Sequence, residues 1–211
     1  MRKLLVVAAL LAFSGAAWGQ AGDFWFNYGE SFFQNSGLGT DLAFGGSSND
    51  IKLDSGYRFG FRFDFNVGDH YGAEVGYAFN HTDLVLNNAA GSALGLGGSA
   101  SLGMHMHQVA FNGMYYPFTP DKARVRPFVT AGFGFDNFVP PGGQSFNGET
   151  KIAANFGGGV KAHIGEVHGL KVGVRVDLRE YISPHPNFGI ATGGNAGLWQ
   201  TEISAGIGIG F

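Results

Sequence analysis

A chain of 211 residues with no cysteine excludes disulfides and thiolate chemistry, and its length suits one or two domains. A formal net charge of −3 leaves no basic field for nucleic acid and no acidic tail. Charged residues make up only 14% of the chain, against roughly 25% in ordinary soluble domains. The 37 glycines oppose long helices, and 21 phenylalanines among so few charges need an apolar place to go.

At the start of the chain, Arg2 and Lys3 precede an apolar run from Leu4 to Phe13, and Ala17-Trp18-Gly19 places small residues where a signal peptidase reads. The run is too short to span a bilayer as a helix, and the pattern is that of a secretory signal. Residues 1–19 are therefore expected to be removed, with cleavage after Ala21 as the alternative. No later stretch reaches about 18 apolar residues, so no transmembrane helix is predicted.

After that leader the dominant signal is alternation at period two. A first strand is expected near 24–33. The next, Tyr57 to Val67, is clearer: Tyr57, Phe59, Phe61, Phe63, Phe65 and Val67 share one face, and Arg58, Gly60, Arg62, Asp64 and Asn66 the other. A helix would scatter those rings around its axis; a strand gathers them on one side. Strands of lower contrast follow near 71–83, 104–116, 126–138 and 150–164. Leu170 to Ser183 alternates strongly again, with Leu170, Val172, Val174, Val176 and Leu178 against Lys171, Gly173, Arg175, Asp177 and Arg179. In the last segment Trp199, Thr201, Ile203, Ala205, Ile207, Ile209 and Phe211 share a face opposite Gln200, Glu202, Ser204 and three glycines.

These are eight strands, most of them long enough to cross a bilayer at a tilt, which takes about 9–11 residues. Their connections alternate in length. The short ones are Gly68 to His70, Pro117 to Val125 and Gly165 to Gly169, and the long ones lie near 34–55, 84–103, 139–149 and 184–196. Transmembrane barrels have short periplasmic turns and long outer loops. The expected fold is thus an all-β, eight-stranded, antiparallel up-and-down transmembrane barrel over 24–211, with its loops extracellular and its termini periplasmic.

A secreted soluble barrel would also alternate, with the apolar face inside. Two features oppose it. The polar face of the last strand is nearly free of charge, which is poor for contact with water. The apolar face carries more large residues than an eight-stranded interior holds. Turned outward, those residues meet lipid, and no Lys or Arg falls on that face of the clear strands.

The same alternation turns Arg58, Arg62, Asp64, Glu74, Lys161, Lys171, Arg175, Asp177, Arg179 and Glu202 inward, together with Asp136 and Lys151. Both signs are present, so a network of ion pairs is expected in place of unpaired buried charges. A symmetric last hairpin brings Glu202 near Arg179. Folding the preceding strand onto its neighbour is expected to set Gly157 and Gly159 opposite Asp177 and Arg175. His81, His105 and His107 gather near the outer ends of two neighbouring strands; His105-x-His107 could offer a metal pair, but that face is the lipid-facing one and side chains meeting lipid headgroups explain it better, so no metal or cofactor is expected. Ser183, His185 and Asp83 could be combined into a hydrolytic set, but their spacing does not support one, and no enzyme activity is expected.

With these residues in view, the chain resembles the small outer-membrane barrels of the OmpA/OmpX type, within the outer membrane protein β-barrel domain group. Arg126-Pro-Phe-Val-Thr-Ala-Gly-Phe-Gly-Phe135 is similar to a strand common in that group, and Val174 to Tyr181 resembles its penultimate strand with inward arginines and a tyrosine. Ile203 to Phe211, with Ile207, Ile209 and Phe211 in the alternating set, looks like the C-terminal signal read by the barrel-assembly machinery. The resemblance implies a monomer in a Gram-negative outer membrane, in contact with lipid and lipopolysaccharide. No peptidoglycan-binding domain like that of full-length OmpA proteins is expected, so their tethering role is not carried over. The implied role is structural or surface interaction, with loops offering an adhesion or defence surface; a narrow channel or carrier for a small solute is the alternative.

Overall fold

The structure, a computed structural model, describes residues 22–34, 36–39, 51–86, 95, 98–118, 124–142, 147–188 and 197–211. The proposed leader and parts of the long connections lie outside the described residues. Eight long strands carry the fold: β1 (Gly22–Gln34), β4 (Gly56–Val67), β5 (Tyr71–Leu86), β6 (Ala100–Tyr115), β7 (Val125–Val139), β8 (Glu149–Val167), β9 (Leu170–Pro184) and β10 (Gly197–Gly210). Two short strands, β2 (Gly37–Gly39) and β3 (Ile51–Leu53), lie within the long first connection, where a loop without strands was expected. β3 pairs with the end of β5 that extends past β4, and β2 pairs with β3.

All neighbours are antiparallel. β1 pairs with β4 on one side and with β10 on the other, and the β5–β6 pairing completes the circle, so the eight long strands form a closed barrel without a free edge. The closure is drawn to its last residue: Phe211 N–H donates to Gly22 C=O at 2.9 Å, and Gly22 N–H donates to Phe211 C=O at 3.1 Å.

The alternation has the sense expected for lipid outside. Ile203 is 51% exposed and Ile207 65%, whereas Glu202 on the opposite face of the same strand is fully buried. On β4 the rings of Phe59, Phe61 and Phe63 face outward while Arg58, Arg62 and Asp64 are buried. A soluble barrel inverts this arrangement.

One register differs from expectation. β8 and β9 place Gly157 opposite Arg179 and Gly159 opposite Asp177, while Arg175 faces Lys161. The expected pairing assumed a five-residue turn at 165–169. The strands instead run on to Val167 and Leu170, joined only by His168 (φ 52°) and Gly169 (φ 82°). Two successive positive φ values suit the tight hairpin turn that matches strand twist. An irregularity between His163 and Gly165 then absorbs one residue. The last hairpin has the expected register, with Glu202 opposite Arg179.

Candidate functional site

The inward faces of the eight strands converge on a lumen too narrow for long side chains to avoid one another. Five cations, Arg58, Arg62, Lys161, Arg175 and Arg179, meet five carboxylates, Asp23, Asp64, Glu74, Asp177 and Glu202. At the level of β10, Glu202 binds Arg58 at 3.0 Å and Arg62 at 2.5 Å, and it accepts a hydrogen bond from Tyr181 Oη at 2.9 Å. Arg62 also reaches Asp177 at 2.8 Å.

Below this, Arg179 holds Glu74 at 2.6 Å and Asp177 at 2.9 Å. Arg175 is the hub: its guanidinium contacts Asp177 at 2.7 Å, Glu74 at 2.6 Å and Asp64 at 2.8 Å. Lys161 then joins Asp64 at 2.5 Å to Asp23 at 3.2 Å. These partners come from β1, β4, β5, β8, β9 and β10, so the network crosses the lumen rather than running along its wall. Every carboxylate in it faces at least one cation, which is the condition for burying such groups at tolerable free energy.

Of the twelve residues expected inward, nine are buried in this network, Asp136 is buried beside Gln108, Lys151 is half-buried and pairs with Glu149, and Lys171 shares their strand face but lies exposed at the turn end. The expected Arg179–Glu202 pair is absent even though the two residues oppose each other in register. Long side chains in a narrow lumen project toward the axis, where Arg62 from β4 reaches Glu202 and Glu74 from β5 reaches Arg179. Asp23 was missed because the first strand was expected to begin one residue later; extending the parity of Trp25 and Asn27 back by one step would have found it.

Both ends of the network are sealed. Toward the long connections comes a set of amides: Asn80 donates to Gln108 at 2.9 Å, Gln108 to Gln200 at 2.8 Å and to Asp136 at 3.0 Å, and Gln200 back to Asn80 at 3.2 Å. Beyond it the inward face becomes apolar. Leu84, Leu86, Met104, Met106, Phe138 and Leu198 pack beneath Leu38, Ile51 and Leu53 of β2 and β3 and beneath Phe188. The sequence reading assigned apolar residues to the lipid side and did not foresee this lid, which is visible as the even-numbered Leu and Met that continue the inward parity of Asn80 and Gln108.

At the opposite end Trp25, Met114, Tyr116 and Phe128 close the lumen. Lys161 Nζ donates to Tyr116 Oη at 2.8 Å, and the Arg126 guanidinium lies 3.9 Å above the Tyr116 ring. Glycine provides the room for Trp25: a Cβ at Gly208 would stand 2.4 Å from its indole. Among the described residues, the void beside the central charges measures about 20 Å³, room for about one water.

Outside the lumen, Ile207, Ile209 and Phe211 face outward and exposed, with the Phe211 ring 5.9 Å from that of Phe63. Asp83 faces outward on β5 and binds Ser101 at 3.0 Å, while Ser183 is buried on β9, so no hydrolytic set is assembled. His81 and His105 stand side by side on the outward face, Nδ1 to Nδ1 at 3.2 Å, while His107 Nδ1 contacts Tyr77 Oη at 2.8 Å. No group of three or more His, Asp or Glu suited to a metal occurs among the described residues.

The family described as "Outer membrane protein beta-barrel domain" matches residues 5–211. No match is found among curated proteins. Among solved structures, Neisserial surface protein A (NspA) is similar at 13% identity and a TM-score of 0.57, covering 90% of this chain and 97% of that one. The outer membrane protein OprG from Pseudomonas aeruginosa is similar at 17% identity and a TM-score of 0.52, covering 91% of this chain and 97% of that one. At these identities the likeness speaks for the fold alone.

Proposed function

Because the chain belongs to the outer membrane protein beta-barrel domain family, we propose that it is a closed, non-conducting, non-enzymatic barrel with a structural or surface-interaction role. In this reading it acts as a monomer among outer-membrane lipid and lipopolysaccharide, inserted by the barrel-assembly machinery. Its long connections face outward as an adhesion or defence surface, and its termini lie in the periplasm.

The observation that supports this most directly is the lumen. Ion pairs cross it at mid-height, an apolar lid lies above them and an aromatic plug below. A permeant ion would have to displace paired charges from both signs at once. The test is conductance of the purified protein in planar bilayers. The expected record shows no steady ion current; large, reproducible open events in the wild type would refute the plug and favour a narrow channel.

A further inference from the structure

We propose that His81 and His105 form a two-imidazole binding site for a divalent transition-metal ion of the imidazole-preferring class, at the rim of the outward face of β5 and β6. The two residues are directly opposed in the strand register, and their Nδ1 atoms face each other at 3.2 Å. Two nitrogens bound at 2.0–2.1 Å to one ion stand about 2.9 Å apart at a right angle and about 3.3 Å apart at the tetrahedral angle. The observed spacing falls between these values, so one ion can reach both nitrogens once the rings turn to aim their Nδ1 lone pairs off the N–N line toward it.

The rings are positioned by their neighbours. Tyr57 lies 5.1 Å from the His81 ring and Phe79 lies 5.0 Å from the His105 ring, centroid to centroid. Gly103 keeps space open beside them: a Cβ there would stand 3.3 Å from His81 Cε1 and 3.8 Å from Asp83 Oδ1. A carboxylate thus borders the same gap, and neither β5 nor β6 carries a Lys or Arg that would repel a cation.

The height is also suitable. Tyr71 opposes Tyr115 at one end of the pair and His81 opposes His105 at the other. The intervening strand is about 33 Å long, or about 25 Å along the barrel axis at the usual tilt, which is the height of the apolar band of such barrels. The imidazoles therefore lie at the water boundary, where an ion can enter and keep water in its remaining positions.

Without an ion, one imidazole donates its Nδ1–H to the other. On binding, that hydrogen is carried on Nε2 instead, and both Nδ1 lone pairs face the ion. His107 is held by Tyr77 and takes no part.

The test uses the purified barrel in detergent micelles, stripped with chelator and titrated with Zn²⁺ or Cu²⁺ by calorimetry, with the Cu²⁺ form read by electron paramagnetic resonance. One ion per chain with a two-nitrogen signature is expected. His81→Ala or His105→Ala should weaken binding by about tenfold or more, while His107→Ala leaves it unchanged. Heat-shifted gel mobility reports folding, and His81→Gln and His105→Gln replace any alanine variant that fails it. No saturable binding by the wild type would overturn the site. So would unchanged affinity in a folded double variant, which would place the ion at other histidines.

Discussion

At Glu202 the lumen makes a distinction that strand register alone does not. Its Cα faces Arg179, yet its carboxylate binds Arg58 and Arg62. Removing its charge leaves those guanidinium groups with fewer acceptors in a buried interior, and breaking a buried pair this way destabilises by about 3–5 kcal/mol. Glu202→Gln should therefore lower the urea midpoint of the refolded barrel markedly. A double-mutant cycle with Arg58→Met should give a coupling energy of about 1 kcal/mol or more, because Glu202 is its one ion-pair partner among the described residues and the second change removes the cation left unpaired. The same cycle with Arg179→Met should couple more weakly, since Arg179 keeps its contacts to Glu74 and Asp177. Equal coupling in the two cycles would contradict the assignment of partners.

Among the elements, β10 has a dual task. It completes the circle by pairing with β1 and β9, and Phe211, the residue that follows it, exchanges two backbone hydrogen bonds with Gly22. An unpaired terminal strand can be captured by edge pairing, with specificity from its side chains. Ile207, Ile209 and Phe211 all point outward there, available to a second protein before they meet lipid. Deleting Phe211 should reduce the folded, heat-modifiable form in outer-membrane fractions; a normal yield of folded barrel would refute a role in assembly. β2 and β3 are the contrasting case. They are too short to span a membrane, and their inward Leu38, Ile51 and Leu53 serve the lid.

At the scale of the whole molecule, two ends of unequal character follow from the order of strands. One end carries the two-residue turn His168–Gly169 and the short Gly68–His70 connection; the other carries the lid and the long connections. The absence of cysteine makes orientation directly measurable. An impermeant thiol reagent on intact cells should label Asn187→Cys, near the lid, and should leave Asp69→Cys, in the short turn, unlabelled. The reverse pattern would invert the proposed topology.

What the sequence determined by itself was the barrel: strand number, antiparallel order and inside-out sense. Alternation at period two is a local property, and Tyr57 to Val67 or Trp199 to Phe211 displays it without help from any neighbour. The inward parity of nine charged residues was legible for the same reason. Their partners were not. Arg175 meets Asp64 and Glu74 from strands more than a hundred residues earlier, and no spacing along the chain encodes which long side chains reach across a narrow axis. The β8–β9 register depended on one two-residue turn and one irregularity, each of which shifts every later pairing. The apolar lid needed β2 and β3 to fold over the opening before its leucines and methionines read as interior. Only the tertiary structure decided these matters, because they are set by closure of the sheet and by packing across the lumen.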